Sequence, residues 1–214
     1  PIIVSIIYNE DNIVAFAYSF LITLAFGSFL YLVNFEKKYE GIRIKEGFLL
    51  TVLLWLFFTI FATLPLIFGS KSGLSIVSAY FEATSGLTTT GATIFSDLSG
   101  EYYSILFYRG LLQWIGGLGI IVLAIALMPL LGVGGMQLYR GETQGPINQS
   151  KLRPKIAETA MVLVYIYLIL TLLCFLSYFL AGMEYFDAIV HSFTTIAIGG
   201  FSNYNESFAF FNNN

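Results

Sequence analysis

The chain has 214 residues, of which 57% are hydrophobic and only 11% charged, with a formal net charge of −3. A soluble domain usually carries about 25% charged residues, so an ordinary water-soluble globule is excluded. One histidine, His191, and one cysteine, Cys174, leave no material for a histidine metal site, a catalytic triad or an intrachain disulfide.

Residues 1–8, PIIVSIIY, read as the last turns of a helix that began earlier, and the chain reads as a fragment. A polar turn follows, with Asp11 or Asn12 placed to cap the next helix. Residues 13–35 carry no charge, and a bilayer takes about twenty apolar residues as helix, so a spanning helix is expected there. Residues 36–46 form a charged connector, and residues 47–69 a second uncharged run. Residues 74–93 are a re-entrant candidate, a short half-apolar segment of about four helical turns with a Gly/Thr tail; residues 96–102 are polar. Residues 103–131 form a third long run with one charge, Arg109, near its start, and with Gly110, Gly116, Gly117 and Gly119. Such small residues let helices pack closely in a membrane, and they also allow a bend. After a polar loop at 132–154, Pro154 suits the first turn of a fourth run, residues 156–182. A second short segment, 183–195, and its extended tail, 196–202, come next; the last stretch is polar and aromatic and leads to no further element.

Eight of the ten Lys and Arg residues lie in two connectors. Lys37, Lys38, Arg43 and Lys45 are in the first; Arg140, Lys151, Arg153 and Lys155 are in the second. Basic loops stay in the cytoplasm, and both connectors can do so only if the segment at 74–93 enters the membrane and returns to its side of origin.

The two short segments are copies of one another. Residues 185–201, YFDAIVHSFTTIAIGGF, align without a gap on residues 76–92, IVSAYFEATSGLTTTGA, at an offset of 109. Ala79 falls on Ala188, Ser85 on Thr194, Gly91 on Gly200, and Glu82 on His191. The expected fold is therefore an all-α membrane protein built from helix–pore-loop–helix units of potassium-channel-like type, one complete and one incomplete. Irregular backbone inside a membrane is tolerated only where it faces protein or water. A half-helix followed by Gly/Thr backbone is one way to aim carbonyl oxygens at a cation.

Several motifs, in order, carry a family resemblance: LTTTGATIFSDL, LFYRGLLQWIGGLGIIVLAIALMPLLGVGGMQLYRGETQGP, PKIAETA and FDAIVHSFTTIAIGGFS. Together they closely resemble the Trk/Ktr superfamily of potassium-uptake proteins, specifically its TrkH-like membrane subunits, from Asn12 onward. The resemblance implies potassium uptake across the plasma (inner) membrane by a multi-pass channel or symport subunit in which four such units surround one pathway. It divides this chain into an extra helix and connector (1–46), a first unit (47–131), a cytoplasmic loop (132–155) and a second unit stopping after its filter (156–214). The second inner helix is expected to begin near the end of the chain. Implied filter residues are Thr88, Thr89, Thr90 and Gly91 in the first unit and Ile198, Gly199 and Gly200 in the second. Potassium would be held by backbone carbonyls of Thr89, Thr90, Ile198 and Gly199. Potassium has low charge density, and neutral carbonyl rings replace its hydration shell; a carboxylate ring suits divalent ions better. No covalent cofactor is implied, with potassium as the transported ion. Expected partners are the lipid bilayer, a cytosolic nucleotide-binding regulatory ring, which residues 132–145 could touch, and a second full-length chain in a homodimer; nucleic acid is not one.

Other residues receive structural readings. Arg109 is expected to snorkel to the interface, Cys174 to be a small buried hydrophobe, and Glu82 and His191 to be satisfied by neighbouring polar groups. Two other classes of function stand beside ion uptake: a non-conducting fragment or assembly scaffold, and an intramembrane enzyme. The spans hold no paired acids and no nucleophile–base pair for the latter.

Overall fold

The computed structural model describes residues 1–34, 44–131 and 152–211. Its elements are α1 (Ile2–Ile7), α2 (Ile13–Asn34), α3 (Ile44–Gly69), α4 (Ile76–Leu87), α5 (Tyr103–Leu131), α6 (Leu152–Leu180), α7 (Tyr185–Ile196) and a 3-10 helix at Ser207–Phe211. No strand occurs among the described residues. Among the described residues four helices are long and apolar enough to cross a membrane, over Ile13–Val33, Phe48–Gly69, Tyr103–Leu123 and Glu158–Leu180. These spans are predominantly apolar.

The long helices differ in how much of them the protein covers. Only 11% of the α6 span is buried, against 44% of the α5 span, so α5 is the inner helix and α2, α3 and α6 lie outside it. α5 packs against α1, α3, α4, α6 and α7. The glycine-bearing run does not interrupt the helix: α5 continues unbroken through Gly110, Gly116, Gly117 and Gly119. Its glycines are points of close approach. A Cβ at Gly116 would overlap the Leu87 carbonyl oxygen at the end of α4, and one at Gly110 would lie 2.8 Å from Val190 of α7. The core between α4 and its neighbours is built on Phe16, Leu66, Ala79, Ala83, Phe95, Leu98, Ile105 and Leu106. Ala79 and Ala83 are fully buried, and their small side chains bring the short helix close to α3 and α5.

Polar groups gather at one end of the bundle. Glu10 accepts from the backbone N–H groups of Tyr103 (2.6 Å) and Ser104 (3.1 Å), two of the free donors that begin α5. Glu101 accepts from the Ser70 hydroxyl (2.7 Å), the Lys71 N–H (2.8 Å) and the Ser72 hydroxyl (2.9 Å), tying the end of α3 to the start of α5. Burial pushes the Glu101 carboxyl up, but these bonds outweigh it and hold its pKa below the ordinary value. Asn12 stands where a cap for α2 was expected, yet its side chain serves tertiary contacts: it donates to Gly69 O (3.1 Å) and Ser104 Oγ (2.8 Å) and accepts from Ser5 Oγ (2.7 Å). The start of α2, the end of α3 and the start of α5 therefore share one end.

Helix bounds differ from the sequence reading by a few residues. α3 starts at Ile44 and α6 at Leu152, so charged connector residues extend both helices. Pro154 falls in the first turn of α6, where its missing N–H breaks no helical bond. Cys174 is only partly buried, on the weakly covered α6. The last aromatic stretch is not idle: Phe208 and Phe211 of the 3-10 helix pack edge-on against His191 at 5.2 and 5.3 Å.

Candidate functional site: two short helices and their outgoing backbone

α4 and α7 are each 12 residues long, and the 109-residue offset carries both bounds of α4 onto those of α7. Both end in the same bonds. In α4 the Thr89 N–H donates to Gly86 O (3.0 Å) and the Thr90 N–H to Ser85 O (2.9 Å). In α7 the Ile198 N–H donates to Thr195 O (3.0 Å) and the Gly199 N–H to Thr194 O (2.8 Å). This paired capping closes a helix around one left-handed residue, usually glycine. Here that residue is Thr89 (φ 55°) and Ile198 (φ 56°). A β-branched residue rarely adopts this conformation, which costs about 1–2 kcal/mol.

Hand then alternates. Thr90 and Gly199 return to negative φ, while Gly91 (φ 78°) and Gly200 (φ 82°) are again positive. Both glycines thus sit in the left-handed region that glycine adopts without steric cost. Sequence reasoning picked the glycines; it missed that Thr89 and Ile198 carry the strain. Their fixed place, two residues beyond each short helix, was the available signal.

The two stretches meet. A Cβ at Gly91 would overlap the Gly199 carbonyl oxygen, so the fold brings Gly91 and Gly199 together. Thr88, Thr90, Ile198 and Gly200 are exposed, Thr89 and Gly91 half-buried, and Gly199 buried. The outgoing tails are also joined: Asn205 accepts from the Leu98 N–H (2.9 Å) and donates to Asp97 (2.9 Å). Bonds from Ser99 and Asn205 hold the Asp97 carboxyl down to about 2.

Behind the first stretch, Arg109 does not snorkel. It is 1% exposed and its Nε donates to Glu82 Oε1 at 2.8 Å, with Glu82 fully buried. Glu82 also accepts from the Thr93 hydroxyl (3.0 Å) and the Ile94 N–H (2.8 Å). Arg109 Nη2 donates to Thr93 Oγ1 (3.0 Å) and Nη1 to Ser202 O (3.1 Å). Its guanidinium lies over Phe95 (5.0 Å) and Phe201 (4.4 Å), so one side chain links both tails. The snorkelling expectation fails because a carboxylate on the neighbouring short helix supplies an inward partner. In the second copy His191 replaces Glu82 and Ser202 replaces Thr93, and the tie persists: His191 Nε2 lies 3.1 Å from Ser202 Oγ. His191 Nδ1 lies 2.9 Å from Asp187 O. A carbonyl only accepts, so Nδ1 carries the proton and Nε2 accepts from the Ser202 hydroxyl. Burial pushes the His191 pKa down, against the pull of the Asp187 carbonyl and carboxylate.

Among the described residues no group of three or more His, Cys, Asp or Glu is placed to hold a metal ion. The site offers instead neutral oxygens, the negative ends of two short helices and a buried, charge-balanced ion pair. That set suits a monovalent cation better than a divalent one.

A family model described as a cation transport protein, TrkH, matches residues 12–214. The chain is 51% identical over 211 residues to the Trk system potassium uptake protein TrkH of Escherichia coli K12, covering 99% of this chain and 44% of that one. It is 41% identical over 213 residues to the Trk system potassium uptake protein TrkG of the same organism, covering 100% of this chain and 44% of that one. The crystal structure of the potassium transporter TrkH from Vibrio parahaemolyticus superposes with a TM-score of 0.84 at 42% identity, covering 99% of this chain and 42% of that chain. The chain thus spans less than half the length of the curated relatives it matches.

Proposed function

The chain belongs to the TrkH family of cation transport proteins, and on that footing we propose that it forms part of a potassium-uptake pathway across the plasma (inner) membrane. Its relatives named above are uptake proteins and not enzymes. In this reading the backbone at residues 88–91 and 198–200 lines the ion path, and the carbonyls of Thr89, Thr90, Ile198 and Gly199 hold potassium. What carries the reading is the repeated left–right–left backbone after α4 and α7, with Gly91 set against the Gly199 carbonyl. Strained backbone of this kind collects at functional sites, and here the same strain occurs twice at one repeat position. The division into a first unit, a loop and a second unit at 47–131, 132–155 and 156–214 belongs to the same proposal. So do a homodimer of full-length chains and a cytosolic nucleotide-binding ring; the loop at 132–145 that would meet the ring lies outside the described residues.

The test is glycine replacement in the intact protein, expressed in a potassium-uptake-deficient cell. Gly91→Ser is expected to weaken uptake and potassium-over-sodium preference more than Gly200→Ser. At Gly91 a side chain meets both the positive φ and the Gly199 carbonyl, whereas at Gly200 it meets only the positive φ and open space. Unchanged uptake and preference in both variants would remove the filter assignment.

A further inference from the structure

α5 lays one stripe of positions along the second stretch in antiparallel register. Arg109 Nη1 donates to Ser202 O at 3.1 Å. One turn on, Gln113 Oε1 accepts the Phe201 N–H at 3.1 Å. One turn further, a Cβ at Gly117 would lie 3.2 Å from Ala197. Residues four apart share a helix face, so a single face of the inner helix of one unit supports the outgoing backbone of the other.

Gln113 is the unusual member of the stripe. It is fully buried, and its carboxamide presses on Gly199 so closely that a Cβ there would overlap it. Its orientation is fixed, because the Phe201 N–H needs an acceptor and only the amide oxygen is one. Its Nε2 has no hydrogen-bond partner among the described residues. A buried amide donor left unpaired is unfavourable, and an apolar side chain of similar size would avoid that penalty while filling the same space. What the amide supplies that an apolar side chain would not is the acceptor for the Phe201 N–H.

The bond to the Phe201 N–H sets more than one atom. That N–H and the Gly200 carbonyl belong to one planar trans peptide and point in opposite directions. Drawing the N–H back onto Gln113, behind the stretch, turns the Gly200 carbonyl away from α5. Gly200 itself is exposed, and a Cβ there would meet nothing within 4 Å among the described residues, so the stretch is open beside this peptide. At the same time the carboxamide blocks Gly199 from moving back toward α5.

We propose that Gln113 is a specificity-determining positioning residue, whose buried carboxamide fixes the Gly200–Phe201 peptide and backs Gly199 so that the second stretch presents its carbonyls at one spacing to the cation. This rests on the reading that residues 198–200 line the ion path. Gln113 does not touch the ion; it acts through the backbone it holds. Loss of such an outer support commonly weakens a metal site about 10–100-fold.

The experiment uses the intact protein in a potassium-uptake-deficient cell and compares Gln113→Met, Gln113→Asn and Gly200→Ser, with membrane abundance measured for each. Gln113→Met keeps the volume and removes the acceptor; Gln113→Asn keeps the amide but withdraws it from Phe201. Both are expected to raise KM for potassium and to lower potassium-over-sodium discrimination about tenfold, beyond any change in the amount of protein. A residue that only helped folding would lower maximal uptake with abundance and leave the discrimination ratio alone. If Gln113→Met does not reach the membrane, the smaller Gln113→Asn decides. Parental discrimination in the Gln113 variants beside altered discrimination in Gly200→Ser overturns the proposal and leaves the ion-path reading standing. Parental discrimination in all three overturns both. Failure of both Gln113 variants to accumulate also overturns it, in favour of a purely structural role.

Discussion

Glu82 and Arg109 show how a single side chain is decided by its partner. An arginine near the start of an apolar helix has two options, the interface or an inward partner. The 2.8 Å contact to a fully buried Glu82 selects the second. Removing one member of a buried ion pair leaves an uncompensated charge and costs about 3–5 kcal/mol. Arg109→Met and Glu82→Gln are therefore each expected to lower the melting temperature of the purified protein in detergent sharply. The double variant should lose clearly less than the sum of the two, because it strands no charge. Additive losses would show that the pair is not coupled. The repeat adds a comparison: the second copy keeps the tie from the short helix to the outgoing hydroxyl, but through a neutral His191 and Ser202. The tie from the short helix to the outgoing hydroxyl therefore does not need a carboxylate at the Glu82 position.

At the scale of elements, α4 and α7 are short because their sequence is half polar and because each ends in a capped left-handed turn. A helix of 12 residues is about 18 Å long, well under the roughly 30 Å of a hydrocarbon core. It can only enter and stop, and its outgoing backbone must be satisfied by protein, here by α5. The chain consequently returns after α4 to the end from which it came, where Glu101 meets residues 70–72. Cysteines placed at Lys38 and Lys151, which lie outside the described residues, are expected to be labelled only from the cytoplasmic side, and one at Ser99 only from outside. Labelling of residues 38 and 151 from opposite sides would show that the segment after α3 crosses the membrane.

For the molecule as a whole, α5 joins the two short helices and their outgoing stretches into one body, and among the described residues that body is open on one side. Ile198 is 89% exposed and nothing lies near the Cα of Gly200 on its open face. On the proposed reading, two stretches would line only part of a ring around an ion. Residues 1–214 alone, purified into liposomes, are therefore expected to give no selective potassium flux above empty vesicles. Robust selective flux that Gly91→Ser abolishes would mean that this chain closes a pathway by itself, for instance as two copies.

What the sequence determined by itself was everything written in local periodicity and in repetition. Uncharged runs of membrane length specify spanning helices, and the gapless offset located both short helices to within a few residues. The placing of basic residues at two connectors gave the return of the chain after the first short helix. These signals are legible because hydrophobicity, charge and spacing act along the chain. Only the tertiary structure decided which residues support which. Arg109 meets Glu82 across 27 residues and Ser202 across 93, and Gln113 meets Phe201 across 88. Nothing in the local sequence distinguishes an arginine bound for the interface from one paired inside, or a glutamine on a lipid-facing turn from one sealed behind a glycine. The left-handed Thr89 and Ile198 were hidden for a related reason. Their own chemistry disfavours that conformation, and the capping bonds of the helix end before them, rather than their side chains, go with it.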